Sequence, residues 1–303
     1  MGRTRIGNSG WSYTDWIGSF YPRGTSSSNM LPLYLSRFDT VEVNSTYYSI
    51  PGPQMVKRWA DEARRWDGRE ICVKVPGEVS HDAAMKNDPD IMRSRYARFA
   101  EAVLRPLSDA GVLGAVLFQA SPYFVMRGDI KYRMKSEPKV PLPEYVLGTK
   151  KLNEVLEMMS AHPGDVVLEL RNSSWIDEEF GLSKEAMDAL RAHGAALAVI
   201  DGPSFPWIEV ETARHNYIRF HGRNKEDWYK GGERSPFGRY EYRYSRAELE
   251  GRAKMIKVLT SKVDRDTRIM FNNHPKGYAP MNAIEMMDLL GVERPKGAID
   301  GLW

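Results

Sequence analysis

The sequence is short of the features that settle a function at sight. It has one cysteine, Cys72, in 303 residues, so no internal disulfide can form. No apolar run approaches the length of a membrane-spanning helix, and the opening MGRTRIGNSGW lacks the apolar stretch of a signal peptide, so a cytoplasmic chain without a membrane partner is expected. Charge of either sign is barely in excess: 43 Lys and Arg stand against 40 Asp and Glu, a net of +3, and any cationic site must therefore be local. There is no glycine-rich dinucleotide fingerprint and no Walker loop, so neither a nicotinamide nor an ATP cofactor is expected. An HExxH helix and a His-x-His first strand are also missing, and Ile6 stands where a myristoylation start needs Ser or Thr.

What is present is the composition of an ordinary globular domain, 42% hydrophobic and 27% charged, with eight Trp and 15 Tyr. Short apolar runs alternate with longer segments of helical spacing. Eight such runs occur: RIGNSGW near residue 5, TVEVNSTYY from Thr40, EICVKVPGEVSH from Glu70, GAVLFQASPY from Gly114, DVVLELRNSSW from Asp165, AALAVID from Ala195, NYIRFHGR from Asn216 and RIMFNNH from Arg268. Between them the spacing predicts helices from Pro53 to Trp66, Asp88 to Leu107, Thr149 to Ala161, Ser183 to Ala192, Ser245 to Ser261 and Met281 to Leu290, with Ser183 and Ser245 as N-caps. Eight βα units are the number that closes a barrel, so an α/β fold is expected: a closed (β/α)8 TIM barrel, one domain over residues 1–303. An open doubly wound sheet is the alternative, because periodicity does not show closure. Two connections, 124–148 and 222–244, are longer than a strand-to-helix link requires, and loops after strands build the active face of a barrel.

Buried parallel strands should be apolar on both faces, so polar residues inside these runs require an explanation. Residues two apart share a face, and four strands carry polar pairs in that relation: Glu42 with Asn44, Glu169 with Arg171, Arg219 with His221, and Asn272 with His274. Lys74 between Val73 and Val75, and Gln119 after Phe118, extend the set, and Asp201 ends the sixth strand. A buried polar network that only ties strands together would explain any one pair. Seven strands bringing polar groups to one end point instead to a functional pocket. Lys74, Arg171 and Arg219 against Glu42, Glu169 and Asp201 describe a charge-balanced site suited to an anionic small molecule. Lys225, Lys230, Gly231 and Gly232 in the loop after the seventh strand add a weaker anion-binding signal.

The segments GNSGWSYTDWIGSFYP, FDTVEVNSTYYSIP, VKVPGEVSH, VLFQASPYF, LELRNSSW, YIRFHGRNKEDWY and FNNHPKGYAPMNA resemble, in order and along nearly the whole chain, the YecE-like family, also called domain of unknown function 72. The resemblance implies a closed TIM barrel and no particular activity. Where the family carries Phe-Tyr this chain has Tyr47 and Tyr48, and where it carries Thr-His this chain has Ser80 and His81.

The leading expectation is an enzyme acting on a phosphate- or sugar-bearing anion by general acid–base chemistry, a hydrolase, lyase or isomerase. Glu169 or Glu42 would be the base, its pKa raised by burial, and His221 or His81 would return the proton. Arg171, Arg219 and Lys74 would hold the anion, with Asn44, Gln119, Asp201 and Asn272 around it, and Lys74 has a further option as a Schiff-base amine. A second expectation, by fold-level analogy to endonuclease IV, is a divalent-metal-dependent hydrolase or phosphodiesterase with His81, Glu169, Asp201, His221 and His274 as ligands. A third is a non-catalytic binder of a nucleotide or nucleic acid, stacking bases on Trp175, Trp207 or Trp228.

Overall fold

A computed structural model of the chain describes residues 2–86, 88–126, 148–179, 181–203, 205–225 and 238–294. Eight parallel strands close into a barrel in sequence order: β1 (Thr4–Ser9), β2 (Thr40–Val43), β3 (Glu70–Lys74), β4 (Leu113–Gln119), β5 (Asp165–Glu169), β6 (Ala196–Asp201), β7 (Asn216–Phe220) and β8 (Thr267–Phe271). Closure is made by β8 pairing with β1, with Thr4 beside Thr267 and Asn8 beside Phe271. The open-sheet alternative is thereby set aside.

Around the barrel lie α1 (Ser27–Leu35), α2 (Pro53–Arg64), α3 (Pro89–Phe99), α4 (Arg105–Asp109), α5 (Gly148–Ser160), α6 (Lys184–Ala192), α7 (Arg246–Ser261) and α8 (Tyr278–Leu290). The caps read from sequence are in place. The Ser183 hydroxyl accepts from the Ala186 amide, and Ser245 forms a full capping box with Glu248. Helix α1 is the element the sequence pattern omits, because Pro32 lies inside it. Proline cannot donate to the carbonyl four residues back, and here that carbonyl, of Ser28, accepts instead from Arg58 Nη2 of α2 at 2.5 Å. No helix among the described residues is long and apolar enough to cross a membrane.

Strand alternation divides the core in two. Outward residues such as Val41, Val73, Phe118, Leu168 and Ile218 pack against the helices in one large apolar cluster. Inward residues form stacked planes inside the barrel. The central plane is apolar, built from Leu117, Val167, Ala196, Ala198, Tyr217 and Met270 around the buried Cys72. Below it, Arg268 grips Glu70 through Nε at 2.7 Å and Nη2 at 2.9 Å, and reaches Asp165 with Nη1 at 2.9 Å. This lower plane plugs the N-terminal end of the barrel. Above the apolar plane, at the C-terminal ends of the strands, lies the polar set.

Candidate functional site at the C-terminal mouth of the barrel

The centre of the upper plane is Arg219 on β7, 1% exposed. Its Nε and Nη2 take both oxygens of Glu42 on β2, at 3.0 and 2.6 Å, while its Nη1 is hydrogen-bonded to Glu169 on β5. The Tyr217 hydroxyl donates to the same Glu42 at 2.8 Å. The polar pairs of the sequence thus meet across the barrel, and the contacts change two expected roles. Arg219 has its fork filled by two carboxylates, so its charge is already matched. Burial alone would push both glutamates up, but Arg219 holds the Glu42 carboxyl below its ordinary range and, helped by His221 and Arg171, holds Glu169 well below. The expectation of a carboxylate base raised toward neutrality is not met; Glu42 and Glu169 are counter-ions.

From Glu169 the network runs outward to a cation of different character. Gln119 on β4 donates through Nε2 to Glu169 Oε1 at 2.6 Å and accepts at Oε1 from Lys74 Nζ at 2.8 Å. The ammonium also stands over the Tyr47 ring, 4.1 Å from its centroid. Burial, with Arg219 next and Arg171 adding, pushes the Lys74 amine down to about 7, in spite of Glu169 and Glu42. The two imidazoles on this side are lowered too. Burial and the Lys74 charge take His81 to about 4, and burial with Arg219 lowers His221. His81 comes from a π-turn at Glu78–Ala83 directly after β3; its ring packs edge-on against Tyr47 at 5.1 Å, and its Nδ1 lies 3.0 Å from the Ser80 hydroxyl.

Arg171 follows β5 two residues beyond Glu169, on the inward-facing alternation, and its charge acts on Lys74, Tyr47, His81 and His221. Among the described residues it has neither a hydrogen-bond nor an ion-pair partner. Asn44 and Asn272 close the rim, with Asn272 Nδ2 3.0 Å from His221 Nδ1. The space they border is a cavity of about 400 Å³ lined by Lys74, Gln119, Arg219, Asn44, Asn272 and His274 with the aromatic rings of Trp11, Tyr13, Tyr47, Tyr48 and Tyr240. It shares Trp11, Ser12 and Ser45 with a groove of about 530 Å³ between α1 and α2 that also carries Ser27, Ser28 and Ser49. The strand-pair pattern does not reach the aromatic rim; four of its rings lie in the clusters GWSY after β1 and STYY after β2, and Tyr240 lies in the long connection after β7.

Other expected site residues lie elsewhere. Asp201 shares the odd-numbered face of β6 with Leu197 and Val199, which pack in the outer core, while Ala196 and Ala198 point inward. Its carboxylate therefore faces the helices, bound by Arg223 at 2.7 and 2.6 Å, Arg252 at 2.5 Å and the Tyr244 hydroxyl at 2.9 Å. It is not a pocket ligand. Trp175 is fully buried, stacked on Phe124 with its indole N–H donating to the Phe124 carbonyl at 2.7 Å, and has no face for a base. Trp207 is covered by the Arg252 guanidinium at 4.2 Å, and Trp228, Lys230, Gly231 and Gly232 fall outside the described residues. Most of the two long connections, 124–148 and 222–244, does as well. The suggested metal set disperses: Glu169 and His221 are 3.8 Å apart, but Asp201 lies in the outer layer and His274 stacks on Tyr13. Among the described residues no three His, Cys, Asp or Glu side chains converge on a point that would hold an ion.

Comparison with known proteins gives a consistent picture. The family described as protein of unknown function DUF72 matches residues 5–300. The UPF0759 protein YunF of Bacillus subtilis is 28% identical over 299 residues, 95% of each chain. The UPF0759 protein YecE of Escherichia coli is 32% identical over 95 residues, covering 31% of this chain and 32% of the relative. Among solved structures, a DUF72 family protein of Thermotoga maritima superposes with a TM-score of 0.74 at 28% identity, covering 95% of this chain and 99% of that one. One from Enterococcus faecalis, at 21% identity and a TM-score of 0.73, covers 96% of both and shares the fold.

Proposed function

Since the chain belongs to the DUF72 family, whose description assigns no activity, we propose from the geometry of the mouth that it is an enzyme acting on a small anionic, phosphate- or sugar-bearing substrate. The observation that carries this reading is the charge count once Asp201 is removed from the pocket. Three cations, Lys74, Arg171 and Arg219, face two carboxylates, and both carboxylates are bound to Arg219. Among the described residues Arg171 is left as a guanidinium without a counter-ion, and its charge acts on Lys74 and Tyr47 in the cavity wall, an arrangement that favours an anionic guest able to accept two parallel N–H bonds. A site of this kind stabilises negative charge on the substrate and any that develops in the reaction. The acid–base group that fits is Lys74, which near neutral pH exists in both forms, as a proton carrier must. The cavity and adjoining groove have room for a substrate of small-molecule size, with hydroxyl-bearing serines along the groove to receive its polar groups.

Calorimetric titration with inorganic phosphate and with sugar monophosphates tests this. Wild-type protein should bind the phosphorylated sugars and not their unphosphorylated counterparts, and Arg171→Gln should weaken binding at least tenfold without lowering thermal stability. Equal affinity of wild type and Arg171→Gln, or no phosphate binding at all, would overturn the reading.

A further inference from the structure

We propose that Lys74 forms an imine with a carbonyl carbon of the substrate, so that the molecule taken by the mouth is an anionic aldehyde or ketone. This rests on the anionic-substrate reading above and gives Lys74 a covalent role in place of the proton transfer assigned to it there.

The argument begins with the company Lys74 keeps. A buried lysine that serves only structure is normally ion-paired, because burying an ammonium without a carboxylate is costly. Lys74 Nζ instead meets a neutral amide oxygen, Gln119 Oε1 at 2.8 Å, and the face of Tyr47 at 4.1 Å. Among the described residues it has no carboxylate within ion-pairing distance. The nearest carboxylate of the network, Glu169, is reached only through Gln119 and is bound to Arg219. Arg219 and Arg171 both act against its charge. The sum is an amine whose protonated form is poorly supported, at the C-terminal end of a barrel strand and facing a cavity, which is the environment that makes a lysine nucleophilic. The depressed pKa of about 7 agrees with the geometry.

The step balances without an added reagent. The Nζ lone pair bonds to the carbonyl carbon as the C=O π pair moves onto oxygen. Proton transfer from nitrogen to oxygen gives a carbinolamine. The proton that the Lys74 ammonium gave up to solvent to form the attacking amine returns from solvent to the hydroxyl, which leaves as water while the nitrogen lone pair closes the C=N bond. Nothing is oxidised or reduced. The product iminium carries a positive charge where Lys74 carried one, over the Tyr47 ring and against Gln119 Oε1, so the same partners receive it. An iminium withdraws electrons from the adjacent carbon, which directs the chemistry toward lyase or isomerase reactions and away from hydrolysis.

The test uses pyridoxal 5′-phosphate and unphosphorylated pyridoxal as carbonyl probes, with borohydride reduction at pH 7 and peptide mapping of the fixed label. Phosphate binding by calorimetry is measured on the same preparations. We expect label on Lys74 ahead of the surface lysines, at a pyridoxal 5′-phosphate concentration at least tenfold below that needed for pyridoxal. Arg171→Gln should erase the preference for the phosphorylated probe, and Lys74→Arg, which keeps charge and length, should remove the label while leaving the melting temperature within a few degrees. Label scattered over surface lysines, with Lys74 unmodified while phosphate still binds, would overturn the imine and leave the anionic-substrate reading standing. Lys74 labelled equally by both probes in protein that binds no phosphate would do the reverse.

Discussion

Lys74 and Glu169 are joined by a single side chain: Gln119 accepts from Lys74 at 2.8 Å with one end of its amide and donates to Glu169 at 2.6 Å with the other. The amide separates an amine and a carboxylate that would otherwise neutralise one another. It lets Glu169 remain ionised against Arg219 while Lys74 is left without an anion of its own among the described residues. Gln119→Glu should raise the Lys74 pKa by at least one unit, read from the pH dependence of its acylation rate. An unchanged profile would mean the amide does not control that charge.

The Arg219 cluster should behave as a buried ion triad. Arg219→Met leaves Glu42 and Glu169 facing one another without a cation, and breaking such a set costs about 3–5 kcal/mol. Adding Glu42→Gln and Glu169→Gln to the same chain should restore a large part of that loss, because the uncompensated charges leave with the cation. Urea unfolding of the single and triple variants checks this; a triple variant as unstable as the single one would show that the loss comes from packing.

Lys74 should also leave a mark on stability. Its folded pKa of about 7 lies below its ordinary 10.5, so the unfolded chain holds this proton more tightly across that interval. Stability should therefore rise with pH between about 7 and 10.5, and the penalty is present in full below pH 7. Lys74→Met should be more stable than wild type at pH 6.5 and converge with it near pH 10. Parallel curves for the two proteins would contradict the shift.

His81 and His274, both lowered to about 4, act at the other end of the scale. The folded state refuses their protons while the unfolded state accepts them below about 6.5, so their contribution is complete above that pH and is lost as pH falls toward 4. The double variant His81→Gln, His274→Gln should show a shallower decline of denaturant midpoint across that window.

Asp201 and Trp175 should prove structural. Asp201→Asn weakens charged contacts with Arg223 and Arg252, and a loss of about 3 kcal/mol is expected. Trp175→Phe removes the bond to the Phe124 carbonyl and opens a small void, a loss of about 1–3 kcal/mol. Phosphate affinity should be unchanged in both, and a tenfold weakening in either would return that residue to the site.

The strands and their inward faces were legible because a buried parallel strand has no other reason to carry charge at alternate positions, as Glu42, Lys74, Glu169 and Arg219 do. Asp201 has the same composition signal but the opposite parity, and counting from Ala196 and Ala198 on its own strand separates it from the others. The division of labour inside the pocket was not legible. That Arg219 takes both carboxylates and leaves Arg171 without one among the described residues depends on which strands face each other across a closed barrel, which no linear spacing records. Helix α1 was hidden by Pro32, whose lost hydrogen bond is compensated from a different helix by Arg58.

The plugged lower end of the barrel has a kinetic consequence. With Arg268, Glu70 and Asp165 locked together beneath an apolar plane, the described residues shut the lower end of the barrel and leave the upper end for entry. Whatever is made there departs along the path by which its precursor arrived. A released product should therefore compete directly with the next arrival, and a second reactant should join from the same side as the first.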